Sequence, residues 1–180
     1  MRLLANTGFY LLEIRSARAG HILLSGSGMK FSVTFNMLLK DGQPANEQID
    51  WSVNLNRPYG DAGLRAFFAA LPSVEWQQWL TGAAHIRGVL ILCQVKERRA
   101  KSGAVIVVPC WEPIEQSVLH HRARQLRIEL EDALPAERAQ IMAKAPAEVL
   151  VAYDHILEHP IPEADCPHCA VAKSENRVTY

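Results

Sequence analysis

Apolar residues alternate with polar ones along two stretches in the first third of the chain, and this alternation constrains the fold most. The pattern is clearest in residues 48–56 and is repeated in residues 30–38. In residues 48–56 the apolar members are Ile49, Trp51, Val53 and Leu55. A period of two residues is typical of a strand with one buried face and one exposed face. The sequence therefore predicts two half-buried strands here, and we place a further strand at residues 21–24.

The hydrophobic period then changes to that of a helix. Asp61 is a candidate N-cap for a helix that carries its apolar residues on one side, and Ser73 is a candidate cap for a short second helix. The apolar residues of the two helices are Leu64, Phe67, Phe68, Leu71, Trp76, Trp79 and Leu80. We interpret this aromatic stripe as part of the core.

Two runs that are apolar on both faces follow, at residues 86–96 and 104–111. Such runs are typical of strands in the middle of a sheet or barrel. If a two-residue turn at Lys101-Ser102 joins them, Cys93 and Cys110 face each other across the hairpin. Cysteines in apolar strands usually behave as small buried hydrophobes.

The predicted order of elements is three strands, a helical segment, two strands and then further helices. Three strands, a helix and two strands is the order of an OB-type barrel. We therefore predict an α+β protein with a small OB-like β-barrel or curved sheet and one covering helix, followed by a C-terminal helical extension. The predicted boundaries are residues 1–112 for the β-rich core domain and residues 113–180 for the extension. In the extension we expect helices at 114–133, from Pro135, and at 146–158.

Charge is unevenly distributed along a chain whose formal net charge is zero. Residues 1–112 carry a net charge of +4, and residues 113–180 carry −4. No apolar run approaches the roughly 20 residues that a membrane-spanning helix needs, so no membrane association is expected. Asn6, Thr7 and Glu13 interrupt the apolar residues near the N-terminus, which argues against a signal peptide. We expect a cytoplasmic protein.

The C-terminal region contains the residue spacing of a tetrahedral metal site. His155 and His159 are four residues apart, and Cys166 and Cys169 are three apart. Residues four apart lie on the same face of a helix, so both imidazoles can reach one ion. Histidine nitrogen and cysteine sulfur are the ligands that structural zinc sites use. The sequence therefore predicts zinc as a cofactor, closing a small knuckle in the extension.

The segment Cys166-Pro167-His168-Cys169 also resembles the active-site motif of the thioredoxin-fold disulfide oxidases. The resemblance implies a strand before the motif, and a helix and the rest of a sheet after it. Here a helical stretch precedes the motif and only residues 170–180 follow it. The sequence therefore favours a metal knuckle or a metal-free polar tail over a redox site.

Enzyme signatures are not found in the sequence. It has no phosphate-binding Gly-rich loop, no nucleophile elbow and no His-Glu-x-x-His helix. His120 and His121 are neighbours, so their rings point about 100° apart on a helix and do not readily serve one ion. We interpret them as solvated or partly packed side chains, and we favour a protein without catalytic activity.

Four cations lie close together at the predicted hairpin between the two apolar runs. They are Lys96, Arg98, Arg99 and Lys101. Arginine binds phosphate with its planar fork and stacks on bases. The sequence therefore predicts an accessory protein that binds nucleic acid, single-stranded and with weak sequence specificity, through this basic hairpin. The polar strand face with Thr34 and Asn36 offers hydrogen bonds to a sugar-phosphate chain but no stacking platform.

A second hypothesis places the function in the acidic extension. In it, the chain is a non-catalytic protein–protein adaptor or inhibitor that contacts its partner through the helices of residues 113–180. The charged hairpin then serves solubility and prevents strand pairing at the edge of the sheet. The sequence leaves the oligomeric state open under both hypotheses.

Overall fold

The computed structural model describes residues 2–4, 6–22, 28–71, 74–82, 85–100, 103–162 and 166. Contacts within the chain divide it into two compact units, of which the first ends at Ile114 and the second begins at Glu115. All strands of the described residues belong to the first unit. The chain is an α+β protein, as predicted.

In the first unit the described residues form one sheet of six strands in the order β1-β4-β3-β2-β5-β6. The five longer strands are antiparallel, and only β1 is parallel to its neighbour, β4. Over the described residues the sheet is open, with β1 and β6 at opposite edges. Of the predicted barrel or curved sheet, the barrel therefore does not form, and the OB-like identity is not confirmed. The strands are β1 (Arg2–Leu3), β2 (Gly8–Ile22), β3 (Gly28–Lys40), β4 (Gln43–Asn54), β5 (Leu90–Arg99) and β6 (Val105–Pro113).

The long strand β2 was largely missed by the sequence analysis. It lies between β3 and β5, whereas the prediction placed a strand at residues 21–24 only. Of that range, residues 23 and 24 lie outside the described residues. Tyr10, Leu12 and Ile14 are buried in the core, but the intervening Leu11 and Glu13 are buried as well. Burial of both faces removes the period-two alternation by which a strand is recognised.

Two helices connect β4 to β5, namely α1 (Pro58–Ala69) and α2 (Trp76–Leu80). Because β3 and β2 lie between those strands, this connection has to cross one face of the sheet. Helix α1 begins at Pro58, whose fixed φ suits the first turn, and not after Asp61 as predicted. The Asp61 carboxylate instead accepts a hydrogen bond from Arg65 Nε at 2.8 Å. The other predicted cap, Ser73, lies outside the described residues.

Aromatic side chains fill the space between these helices and the sheet. The ring of Phe31, on β3, lies 5.3–5.7 Å, centroid to centroid, from the rings of Phe67, Phe68, Trp76 and Trp79. Trp76 and Trp79 are partly buried against this core, which confirms the aromatic members of the stripe as a packing surface, whereas Leu80 is 50 % exposed. These contacts, with angles between ring planes from 51° to 90°, are of the tilted and edge-to-face kind that aromatic pairs prefer.

The hairpin of β5 and β6 has a different register from the predicted one. Cys93 pairs with Trp111, and Cys110 pairs with Gln94. The loop is longer than a two-residue turn, because the Ala100 N–H donates to the Ala104 carbonyl at 2.8 Å. This shift by one residue points Cys110 away from the face that Cys93 occupies, and both thiols are free. Burial is the main cause of a raised pKa of the Cys93 thiol, which keeps it protonated and unreactive.

Strand β6 was predicted for the middle of the sheet but lies at its edge. Its apolar residues Val105, Ile106 and Val107 are 58 %, 40 % and 40 % exposed. Two prolines, Pro109 and Pro113, lie in the same strand. Proline has no N–H to donate, which confines it to edge strands and explains this position.

The described part of the second unit contains three helices, α3 (Val118–Asp132), α4 (Pro135–Lys144) and α5 (Ala147–Glu158). Helix α3 begins four residues later than predicted, after Ser117, whose Oγ accepts a hydrogen bond from the His120 N–H at 3.1 Å. Helices α3 and α5 pack together through Ala123, Leu126, Leu130, Val149, Ala152 and Ile156. Across the described residues, no helix is both long and apolar enough to cross a membrane.

Candidate functional site

The end of α5 brings two histidines together. Ala152 and Ile156 are buried, which fixes the rotation of the helix about its axis. His155 and His159 are half-buried, and their ring centroids are 5.0 Å apart with 30° between the ring planes. The His159 N–H closes the last turn by donating to the His155 carbonyl at 2.8 Å. Both imidazoles are therefore close to one point beside the helix.

Cys166 lies at the same point. Its Sγ is 3.8 Å from His155 Nε2, and one ligand atom from each of His155, His159 and Cys166 lies within 4.8 Å of the other two. Zinc binds histidine nitrogen at about 2.1 Å and cysteine sulfur at about 2.3 Å, so that ligands of one tetrahedral ion are about 3.4–3.7 Å apart. These three predicted residues thus form a cluster that a small movement would bring to metal-binding distances. The fourth predicted ligand, Cys169, lies outside the described residues.

One residue of α3 contacts this cluster and a second contacts the residue that follows His159, and neither was identified from the sequence as part of the site. The His120 ring stacks on the His155 ring, with centroids 5.2 Å apart and 26° between the planes. Arg124 Nη2 donates a hydrogen bond to the Pro160 carbonyl at 2.7 Å, and its residue is only 1 % exposed. Pro160 directly follows His159, so Arg124 holds the chain where it leaves α5.

His121 takes a different direction from His120, as the helical spacing predicted. Its Nε2 is 3.3 Å from Gln125 Nε2 on the next turn of the same helix, and the residue is buried. The two neighbouring histidines therefore do not face one ion together. Of the two, His120 is the one whose ring stacks on His155.

The basic hairpin presents its described cations to solvent. Lys96, Arg98 and Arg99 are exposed at the end of β5, whereas Lys101 lies outside the described residues. Alternation along the strand places Lys96 and Arg98 on one face of the sheet and Arg99 on the other. Among the described residues, none of these three side chains forms a hydrogen bond or an ion pair.

The polar face of the sheet is less suited to phosphate than the sequence indicated. Thr34 Oγ1 donates to Asp50 Oδ1 at 2.6 Å, and Asn36 Nδ2 donates to Glu13 Oε2 at 2.9 Å. Both carboxyl groups belong to buried residues. The Thr34 and Asn36 donors expected to meet a sugar-phosphate chain are thus already used within the sheet, so phosphate contacts would depend on exposed cations such as those of the hairpin.

Comparison with known proteins does not assign the chain to a family. No protein-family model matches the chain, and no curated protein matches its sequence significantly.

Proposed function

We propose that the second unit binds one zinc ion through His155, His159, Cys166 and Cys169, and that the ion has a structural role. The observation that supports this most is the convergence of His155, His159 and Cys166. Cys169 completes the set because a Cys-x-x-Cys turn allows two thiolates to reach one ion. Zinc would then tie the segment after α5 to the end of that helix.

The chemistry of the three converging donors favours zinc over harder cations. Imidazole nitrogen and thiolate sulfur suit zinc, whereas calcium and magnesium prefer oxygen ligands. Four protein ligands leave no open position for water or substrate, and such closed sites stabilise the fold. A structural role also agrees with a chain in which sequence patterns indicate no catalytic machinery.

Metal analysis of the full chain, purified without a chelator, tests this proposal. We expect about one zinc per chain by elemental analysis, and close to none in a variant with His155→Ala and His159→Ala, because two of four ligands are lost. His85→Ala is the matched control, since His85 is an exposed histidine of the first unit. Equal zinc content in the wild type and the double variant would contradict the proposal.

A second candidate function belongs to the first unit. We propose that Lys96, Arg98, Arg99 and Lys101 bind nucleic acid, single-stranded and with weak sequence preference. Support comes from the exposure of the three described cations and from their lack of ion pairs among the described residues. The proposal does not need an OB-type barrel, because phosphate contacts depend on charge and exposure and not on the closure of the sheet.

Fluorescence anisotropy with labelled single- and double-stranded oligonucleotides at two ionic strengths tests the second candidate. Replacing Lys96, Arg98 and Arg99 by alanine removes three phosphate contacts. The slope of log K against the logarithm of the salt concentration should therefore become less negative by about 2, at roughly 0.7 per contact for single strands. Binding at low salt should then be strongly weakened, and the slope is read from the binding that remains. The control replaces Arg122, Arg138 and Lys144, which are equally exposed cations of the second unit.

The outcomes separate this function from its alternative. Unchanged binding by the hairpin variant would remove the hairpin from the interface. Absence of oligonucleotide binding by the wild type, together with a protein partner that is lost when residues 113–180 are deleted, would support the adaptor function instead.

A further inference from the structure

We propose that α3 is the platform of the metal centre, with His120 positioning the ligand His155 and Arg124 positioning the chain between His159 and Cys166. This inference rests on the zinc site proposed above. Neither residue is proposed as a ligand. Each acts through a contact with a residue that is a ligand or directly follows one.

His120 restricts the ring of His155 by stacking. Its own backbone is fixed, because its N–H is bound by the N-cap oxygen of Ser117 in the first turn of α3. The ring planes of His120 and His155 are nearly parallel at 5.2 Å. A ligand imidazole free to rotate must be ordered when the metal binds, whereas a stacked one is ordered in advance. The expected consequence is tighter metal binding with the same set of ligands.

Arg124 restricts the path of the chain towards Cys166. Its side chain is almost fully buried, and the 2.7 Å hydrogen bond from Nη2 to the Pro160 carbonyl joins a cation to a backbone acceptor. Pro160 follows His159 directly, so this bond sets the direction in which the chain leaves the helix. Without it, Cys166 would have to be brought to the histidines at a larger entropic cost.

The two contacts come from one face of one helix. Residues four apart in a helix lie above one another, so His120 and Arg124 face the same way. Helix α3 is itself packed on α5 through the apolar core of the unit, which includes Ala123 and Ile156. Metal binding and the packing of α3 are therefore coupled. Partners of metal ligands typically change affinity by 10–100-fold when they are removed.

Cobalt(II) titration of the full chain tests this inference, because Co²⁺ reports both affinity and ligand set through its absorption. For His120→Ala and for Arg124→Met we expect the dissociation constant, measured by chelator competition, to rise roughly 10–100-fold. The thiolate-to-cobalt charge-transfer band at saturation should keep its intensity, since the same sulfurs bind. A ligand variant, Cys166→Ser, should instead weaken that band.

Conservative variants separate positioning from a general loss of structure. His120→Phe keeps a flat ring against His155 and should bind Co²⁺ nearly as well as the wild type. Arg124→Lys keeps a cationic donor and should recover part of the affinity that Arg124→Met loses. Arg122→Gln, an exposed arginine of the same helix, is the control and should have no effect.

Three results would overturn the inference, and each differs from a failure of the zinc proposal. Wild-type affinity in both His120→Ala and Arg124→Met would show that α3 does not position the site. A loss in His120→Phe equal to that in His120→Ala, with a changed cobalt spectrum, would make His120 a ligand. Absence of rescue by Arg124→Lys, with unfolding of the metal-free variant in circular dichroism, would show that Arg124 stabilises the fold and does not position the site. By contrast, a wild type that binds no Co²⁺ would contradict the zinc site itself.

Discussion

Removal of zinc should lower the free energy of unfolding of the second unit by about 4 kcal/mol when free zinc is held near a thousand times its dissociation constant. A ligand that binds the folded state alone stabilises it by mass action, and the unfolded chain does not hold His155, His159 and Cys166 together. Among the described residues, the apolar core that joins α3 to α5 has six buried members, with further partly buried residues packed against it. A stabilisation of this size would therefore decide whether the unit is folded.

Urea unfolding followed by far-ultraviolet circular dichroism, with and without a chelator, measures this effect. The double variant with His155→Ala and His159→Ala should match the chelated wild type and show no further response to zinc. His85→Ala should respond to zinc as the wild type does. If chelation leaves the unfolding midpoint of the wild type unchanged, the ion has no structural role.

The ligand cluster could be predicted because its members are close in sequence. His155 lies in a helix whose apolar pattern was evident, and His159 caps the C-terminus of that helix four residues later, so the geometry of a helical turn places both on one side. Cys166 lies 11 residues from His155, within reach of a short turn. The structure brings these three residues together as a cluster of potential ligands, and their use as a zinc site stays a prediction.

The contacts from α3 could not be predicted in the same way. Arg124 and Pro160 are 36 residues apart in sequence, and their contact depends on which faces of α3 and α5 pack together. Hydrophobic periodicity shows that a helix has an apolar face but does not identify the surface of the neighbouring element against which that face packs. His120 was therefore interpreted from its neighbour His121 alone, and its contact with His155 is a result of tertiary packing.

The sheet shows a similar limit. The predicted strands at residues 30–38 and 48–56 overlap β3 and β4, because their sequences alternate. Burial alternates along β3 only, since β4 begins at Gln43 and its Ile49, Asp50 and Trp51 are all buried. Strand β2 has buried residues on both faces and was missed, and the apolar strand β6 was assigned to the middle of the sheet. The order of strands depends on pairing between distant segments, and the change of register by one residue at Ala100–Ala104 depends on the length of a loop.

A second large loss of stability is expected from a substitution in the aromatic core of the first unit. Phe67 of α1 is fully buried at its centre. Its ring lies 5.3 Å from Trp51, 5.2 Å from Trp111 and 5.4 Å from Phe68, centroid to centroid. These neighbours belong to β4, β6 and α1 itself, so Phe67 joins the crossing helix to two separate strands of the sheet. Rings held from several sides cannot close the space that a removed side chain leaves.

Phe67→Ala should therefore lower the free energy of unfolding of the first unit by about 3–5 kcal/mol, the usual cost of removing a buried phenylalanine. Urea unfolding followed by tryptophan fluorescence measures it, because Trp51 and Trp111 flank the site. Phe67→Leu should cost clearly less and keeps the measurement possible if the alanine variant does not fold. Phe9→Ala is the matched control, since Phe9 is 59 % exposed and should change stability by less than about 0.5 kcal/mol. A cost for Phe67→Ala no greater than that of the control would mean that α1 is not packed on the sheet through this ring.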